Sequence, residues 1–278
     1  MKQYVGQIIQ VMGHTHGLDV SRYDTSFLVK SLGRRLRATS IKSRMPYLQR
    51  LSDDRAEAEA FFRSLRITYS EFFRNPFTFA LLEQVVLPGL VQEKEKSDRG
   101  PLRVWSAGCA AGQEAYSVAI LLDELAAAQG HSPSFQIIAT DVCDAEMVLA
   151  RQGVYDAAAV QNVRLEHIQK CFRVSGGSYA IVPALKDRVD FSFHDLLDER
   201  RASPAAAVYG DFDLVLCCNV LFYYRQDIRH QILDSLCRTL RPGGYVVTGE
   251  AERDFVATRG GLRAVAPPTP VFRKSSTP

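Results

Sequence analysis

The stretch Leu102–Leu125, reading LRVWSAGCAAGQEAYSVAILLDEL, constrains the fold more than any other part of the chain. An apolar run (Leu102, Val104, Trp105) leads into the small-residue turn Gly108-Cys109-Ala110-Ala111-Gly112. A helix follows, with apolar residues at Val118, Leu121, Leu122 and Leu125. A strand that turns this tightly into a helix lets a ligand approach bare backbone. Glycine tolerates φ > 0 and has no side chain to fend the ligand off, and the helix start offers unpaired N–H groups. A nucleotide-like cofactor is the natural guest. The turn matches neither G-x-G-x-x-G nor G-x-x-x-x-G-K-[ST]. Glu114 stands where a pyrophosphate would lie, and a carboxylate there repels phosphate. From the turn alone two readings stay open: a capping carboxylate favoured by the helix dipole, or a carboxylate facing a cationic, phosphate-free cofactor such as S-adenosylmethionine.

Beyond Pro101 strands and helices alternate: strand 102–107, helix 113–129, strand 135–140, helix 144–152, strands 188–194 and 212–218, helix 225–240, a turn at Arg241–Gly244, and strand 245–249. A closing hairpin is expected over Leu262–Lys274, around Pro267-Pro268. The rhythm predicts an α/β fold, a doubly wound, mostly parallel sheet with its ligand at the carboxyl ends of the strands. Residues 155–187 interrupt it with a short helical piece (Leu165–Cys171) and β-prone runs about Gly176-Gly177, the pattern of a small inserted β-subdomain. Upstream, helix-length segments at 3–13, 22–38, 44–51, 54–65 and 76–88 predict an all-helical N-terminal domain over 1–90. The polar run Gln92-Glu93-Lys94-Glu95-Lys96, ended by Gly100-Pro101, predicts a linker over 91–101, leaving 102–278 as the sheet domain.

Charge matters through its distribution. The whole chain carries 34 basic and 31 acidic residues, a net +3, too little to imply a polyanion partner. Residues 1–50, however, hold nine Lys/Arg (among them Lys42) against two acids, Asp19 and Asp24. A helical wheel over Ser26–Ala38 sets Leu28, Val29, Leu32 and Leu36 on one side and Lys30, Arg34 and Arg37 on the other. A solvated helix face is the usual explanation; the scarcity of neighbouring acids also suits an anionic partner. No aromatic–basic interleaving marks a nucleic-acid platform, so none is expected. The chain lacks an apolar leader and any run long enough to span a bilayer, so it is expected to be cytoplasmic, without membrane insertion. Its six cysteines form no C-x-x-C pair, and free thiols without a metal site are expected.

Polar residues that end apolar strands should line the crevice. Asp141 suits the ribose hydroxyls of a nucleotide cofactor, or capping of the next helix. Asp195 ends the run from Arg188 and suits an adenine amino group. Asn219 ends Phe212–Cys218 and opens the aromatic patch Val220-Leu221-Phe222-Tyr223-Tyr224, a site wall with a hydroxyl turned inward. Before the linker, Thr68-Tyr69-Ser70-Glu71-Phe72-Phe73-Arg74-Asn75-Pro76 sets an arginine beside two phenylalanines. Composition alone reads Arg74 as a packed, structural side chain.

In order, these motifs resemble one family, the chemotaxis receptor methyltransferases of CheR type, which methylate glutamate side chains on chemoreceptors with S-adenosylmethionine. The resemblance covers nearly the whole chain: the helical basic N-terminus, Thr68-x-Ser-x-Phe-Phe-Arg74, Val104–Cys109, Gly112-Gln-Glu114-Ala-Tyr116-Ser117, Ala139-Thr140-Asp141, Ala150-Arg-x-Gly153-x-Tyr155, Val189-x-Phe191, Asn219-Val220-Leu221-x-Tyr223 and Leu240-x-Pro242-x-Gly244. Carried over, it implies a Rossmann-like methyltransferase sheet. Thr68, Ser70, Arg74, Gly108, Glu114, Asp141, Asp195, Leu196, Cys218 and Asn219 would hold the cofactor, and Arg74 and Tyr223 would flank the transferring methyl group and the substrate carboxylate. It also implies a chemoreceptor cytoplasmic domain as partner, met by the face of Lys30, Arg34 and Arg37, and a monomeric enzyme. Peptide tethering by 155–187 stays open, because the loop Ser175–Ser178 is short for the family's peptide-docking members. Cys218 stands where the family usually has Arg, Asp195 where it usually has Asn, Thr68 where some members have Asn, and Gln113 in place of the first of two Glu.

A glutamate carboxylate, with a pKa of about 4.3, is already a nucleophile at neutral pH and needs no general base. In-line attack on the sulfonium methyl releases the neutral product S-adenosylhomocysteine, so a dry site that aligns oxygen, carbon and sulfur carries most of the acceleration. Arg74 would orient the carboxylate, Tyr223 its approach, and Phe72, Phe73 and Phe222 would exclude water. Two alternatives are weighed against this: a methyltransferase acting on RNA or a small molecule, and a non-catalytic S-adenosylmethionine-binding sensor or scaffold, suggested by Cys218 and Thr68.

Overall fold

A computed structural model describes residues 2–41, 43–97, 100–129, 134–198, 200–207 and 210–276. The chain divides into two compact units: Met1–Ile67 with Leu221–Gln231, and Thr68–Val220 with Ile232–Pro278.

The first unit is helical. Helix α1 (Lys2–Gln10) runs on as a π turn (Val11–Thr15) and is followed by α2 (Thr25–Ala38), α3 (Arg44–Asp53) and α4 (Arg55–Arg63). Asp24 caps α2, accepting the N–H groups of Ser26 at 2.8 Å and Phe27 at 3.2 Å; Asp54 caps α4 through Glu57 N–H at 3.2 Å. The faces follow the wheel: Leu28 and Leu32 are buried, whereas Lys30, Arg34 and Arg37 are exposed. Arg35 turns inward instead, its Nη2 2.7 Å from Oε2 of buried Glu57, which also accepts the Tyr47 hydroxyl at 2.8 Å. Lys42 lies outside the described residues. The segment Leu221–Gln231 belongs here because it pairs with the chain before α2. Asp24 N–H donates to Tyr223 O at 2.8 Å, Arg225 N–H donates to Arg22 O at 3.0 Å, and the Tyr23 and Tyr224 rings stack at 5.3 Å.

The second unit opens with α5 (Pro76–Leu81), which passes through a π turn (Leu82–Val86) into α6 (Leu87–Ser97). Residues 91–97, expected as linker, are therefore helical; Asp98 and Arg99 fall outside the described residues. Two polar side chains of this stretch make ion pairs with residues far along the chain. Glu93 accepts from Arg241 at 2.7 Å and Arg273 at 2.8 Å, and Lys94 Nζ lies 3.0 Å from Asp213, which is fully buried.

Then follow β1 (Leu102–Ala107), α7 (Gln113–Gln129), β2 (Phe135–Asp141), α8 (Asp144–Gln152), β3 (Val154–Tyr155), α9 (Leu165–Cys171), β4 (Phe172–Ser175), β5 (Ser178–Ile181), α10 (Pro183–Lys186), β6 (Val189–Phe193) and β7 (Phe212–Cys217). Helix α11 (Gln226–Thr239) leads to β8 (Leu240–Thr248), α12 (Arg253–Ala257), β9 (Leu262–Ala264) and β10 (Val271–Lys274). The main sheet has the order β6-β2-β1-β7-β8-β10-β9. Strands β6, β2, β1, β7 and β8 run parallel, and β10 is antiparallel to both its neighbours, β8 and β9. This is the expected doubly wound, Rossmann-like sheet. Chain order reverses at β1, which lies between β2 and β7, so the carboxyl ends of these strands border the switch point where such sheets bind ligands.

Two local expectations change. The turn Arg241–Gly244 is an irregularity inside β8: the register jumps from Phe212 opposite Leu240 to Leu214 opposite Tyr245, and Arg241 in this bulge binds Asp213. The inserted subdomain is a three-stranded sheet, β3-β5-β4, with the expected hairpin plus the two-residue β3, too short to leave a sequence pattern. Tyr155 at its end donates to Ala111 O at 2.8 Å, tying the insert to the turn after β1.

Candidate active site

All the side chains assembled at the switch point come from the second unit. Strand β1 ends in Ser106 and Ala107, and the turn after it is held to β2: the N–H groups of Gly108 and Cys109 donate to Thr140 O at 2.8 and 3.0 Å. Gly108 has φ +79, and a Cβ there would stand 2.7 Å from Val220 Cγ2. A glycine is required because the loop after β7 crosses directly over it.

Glu114 starts α7 beside this turn. Its Oε1 accepts the Ser106 hydroxyl at 2.7 Å, and the Cys218 thiol donates to it as well. Burial pushes the Glu114 carboxyl above the usual carboxylate range; the Cys218 and Ser106 hydrogen bonds pull it back, Glu252 raises it, and Arg74 lowers it. The same surroundings push the Cys218 thiol well up, burial first and Glu114 next, so it stays a neutral donor. Asp141 accepts Ala110 N–H at 3.0 Å through Oδ2 and Cys143 N–H at 2.9 Å through Oδ1. It therefore holds both the β1 turn and the entry to α8. Thr68 hydrogen-bonds Glu146 on α8, whose carboxyl is raised by burial and by Asp141.

Asn219 follows β7 with φ +62, a conformation that asparagine tolerates better than most residues. Its N–H donates to Glu252 Oε2 at 3.1 Å, and its buried Oδ1 has no hydrogen-bond partner. Gln113 Oε1, beside Glu114, is likewise buried and unpartnered. Arg74 lies between Phe73 (φ +51) and Asn75 (φ +63). Left-handed backbone at a phenylalanine costs roughly 1–3 kcal/mol. Here the conformation is fastened: Phe73 N–H donates to Ser117 Oγ of α7 at 3.0 Å, and its ring stacks on His167 at 5.6 Å. The Arg74 guanidinium sits 5.4 Å from the Tyr69 ring centroid and acts electrostatically on Glu114. Asp195 makes a local turn, accepting Leu197 N–H at 2.9 Å. Leu196 and Ser70 are half-buried. Tyr223 is placed in the first unit, 4.8 Å from the Phe27 ring and 4.3 Å from that of Phe222.

Sequence reasoning did not single out Ser106, Glu146 or Glu252, and named Gln113 only as a departure from the family pattern. Gln113 was legible as the neighbour of Glu114; Glu252, three residues past a glycine, carried no pattern at all. Glu124, Glu166 and His167 bring ligand-type atoms within 4.8 Å of one another. The Arg164 guanidinium already occupies that position, 2.9 Å from Glu124 Oε2 and 3.0 Å from His167 Nε2.

The donor and acceptor set selects the kind of ligand. The Ala110 N–H that a phosphate would need is taken by Asp141, and carboxylates face the turn, so phosphate is repelled. Two buried atoms without partners, Gln113 Oε1 and Asn219 Oδ1, are acceptors, and such atoms call for donors from a ligand. An ammonium, ribose hydroxyls and an adenine amino group supply donors and positive charge, which fits S-adenosylmethionine.

Residues 68–260 match the family model described as CheR methyltransferase, SAM binding domain. The chain belongs to the CheR methyltransferase family. It is 34% identical to "Chemotaxis protein methyltransferase 1" of Pseudomonas aeruginosa, over 81% of this chain and 81% of that protein. It is 29% identical, over 89% of its length, to an uncharacterised 104.1 kDa protein of Rhodobacter capsulatus, of which it spans only 25%. Among solved structures, the N-methyltransferase NodS of Bradyrhizobium japonicum with S-adenosylhomocysteine is 15% identical, covering 70% of this chain and 90% of that one at a TM-score of 0.36. Membership of the CheR family makes the chain an S-adenosylmethionine-dependent methyltransferase of chemotaxis, which favours an enzyme over a bare sensor or an RNA methylase.

Proposed function

We propose that the chain methylates glutamate carboxylates on the cytoplasmic helices of chemoreceptors, forming methyl esters. The observation that carries this reading is the buried, hydrogen-bonded Glu114 between Ser106, Cys218 and Arg74, with the unpartnered acceptor of Asn219 on the loop after β7. The arrangement suits a cationic methyl donor and sets the cation Arg74 near Glu114 to meet an anionic acceptor. Gln113, Glu114, Asp141 and Asn219 would hold S-adenosylmethionine, with Thr68, Ser70, Gly108, Asp195, Leu196 and Cys218 completing the wall. When bound, the cofactor supplies an electrophilic methyl group on a sulfonium. Arg74 orients the substrate carboxylate, and Tyr223 guides its approach. Phe72 and Phe73, packed against Tyr155, Phe172 and Phe79, keep the Arg74 segment rigid and dry.

No helix among the described residues is long and apolar enough to cross a membrane; the proposed place of action is the cytoplasm, where the receptor helices lie. The exposed face of Lys30, Arg34 and Arg37 suits acidic receptor helices, and the enzyme works as a monomer. The test is incubation with methyl-labelled S-adenosylmethionine and receptor cytoplasmic fragments. Base-labile label on the fragment is expected; label that resists base, or transfer only to RNA or a small molecule, overturns the assignment.

A further inference from the structure

Glu252 is 2% exposed and sits in the short 3₁₀ turn Glu250–Glu252 that follows β8. Its Oε2 accepts two backbone N–H groups, that of Gly249 at 2.6 Å and that of Asn219 at 3.1 Å. These donors leave the carboxyl ends of adjacent parallel strands, β8 and β7, whose last paired residues are Thr248 and Cys217. One buried oxygen thus fastens two strand ends beside the switch point. Charge-assisted bonds of this kind are roughly twice as strong as neutral ones, and they are the compensation a buried carboxylate needs. The missing side chain of Gly249 makes the room: a Cβ there would lie 2.6 Å from Asn219 Nδ2. Asn219 is therefore held from behind, in a left-handed conformation, by Glu252 and the gap at Gly249, while its Oδ1 stays unpartnered.

We infer that Glu252 is a positioning residue of the cofactor site, fixing Asn219 through its backbone and adding a second negative charge beside Glu114. The inference rests on the reading of Glu114 and Asn219 as cofactor-holding residues. The polar and titratable groups acting on Glu114 come from several elements: Ser106 of β1, Cys109 of the turn, Cys217 and Cys218 at the end of β7, Glu252 after β8, and Arg74 before α5. Of these, Glu252 is the carboxylate that opposes ionisation of Glu114. A cationic ligand binds best when Glu114 is ionised, so affinity rises with pH through the Glu114 titration and then levels off. Neutralising Glu252 moves that rise to lower pH. A side chain that only packed would leave it in place.

The experiment is calorimetric titration of S-adenosylmethionine into the full chain, wild type and Glu252→Gln, over a pH series that runs from acid to neutral and follows the acid limb of binding in each. The expected result is about tenfold weaker binding by E252Q at neutral pH, the scale of one charge-assisted hydrogen bond, together with an acid limb displaced to lower pH. Unchanged affinity overturns the inference, and so does weaker binding with an unshifted acid limb, which marks a packing role only. If E252Q loses its native Trp105 fluorescence, Glu252→Asp decides. It keeps the charge but shortens the reach, so weaker binding with the wild-type acid limb supports the inference and wild-type affinity overturns it. Wild-type protein that binds no S-adenosylmethionine refutes the site reading instead, a distinct outcome.

Discussion

A single methyl group added at Gly249 isolates the placement of Asn219. Gly249 has φ −73 and ψ 155, ordinary extended backbone, so alanine can occupy it without strain. The new Cβ would stand 2.6 Å from Asn219 Nδ2, 2.9 Å from its backbone N and 3.0 Å from its Cγ. Comfortable contacts between such atoms begin at about 3.5 Å, so Asn219 must retreat by roughly 0.5–1 Å. Its N–H is pinned to Glu252, which leaves rotation of the side chain or parting of the strand ends. Overpacking of this size costs about 1–3 kcal/mol of stability. Loss of an aligned Asn219 bond to a charged ligand costs about 1.5–3 kcal/mol, or roughly 10- to 100-fold in Kd. Calorimetry gives the Kd of Gly249→Ala for S-adenosylmethionine. Urea unfolding followed by Trp105, the single tryptophan and a fully buried one, gives the stability of the unit that holds the site. Gly89→Ala is the control: nothing lies within 4 Å of a Cβ there, and the site is helical, so a stabilisation of about 1 kcal/mol is expected. Binding by Gly249→Ala within twofold of wild type would refute the argument.

Arg74→Ala should lower methyl transfer to receptor fragments at least about tenfold while changing cofactor Kd much less, as expected for a group that orients the acceptor; equal loss in both quantities removes Arg74 from the substrate side. Ser106→Ala deletes a donor that stabilises ionised Glu114. The folded Glu114 pKa should then rise further, and the acid limb of cofactor affinity should move to higher pH, opposite to the shift expected for E252Q. Asp213→Ala leaves Lys94 and Arg241 without their buried partner and should cost about 3–5 kcal/mol of unfolding free energy by Trp105 fluorescence. Asp213→Asn, which keeps the acceptor for Arg103 N–H, should cost less.

The sequence was readable where one residue's local setting decides its conformation. Apolar runs ending in Asp141 and Asn219 mark strand ends, because a buried parallel strand tolerates polarity only where it leaves the sheet. The turn Gly108–Gly112 was legible because a close crossing admits little but glycine. Legibility failed where distant partners decide. Gln92–Lys96 has linker composition, yet Glu93 and Lys94 are helical because Asp213, Arg241 and Arg273 meet them from far along the chain. Glu252 resembles any surface acid in a polar stretch, and only the backbone N–H groups of two strand ends distinguish it. Composition likewise gave no sign of the setting of Arg74, which depends on Ser117 holding Phe73 and on the charge of Glu114, neither adjacent in sequence.

The segment Leu221–Gln231 has a consequence for biosynthesis. It completes the helical unit by pairing with residues 22–24, so this first-made unit lacks part of itself until residue 231 has been translated. Nascent domains ordinarily fold in the order of synthesis. Here the whole of Thr68–Val220 emerges before the helical unit can close, so a fragment ending at Ile67 is an unfinished domain. The site-bearing unit is also incomplete at Val220, since β8 and Glu252 come later. The helical unit can close once residue 231 is made and the site-bearing unit only with β8 and the strands after it, so each waits on chain made after Val220.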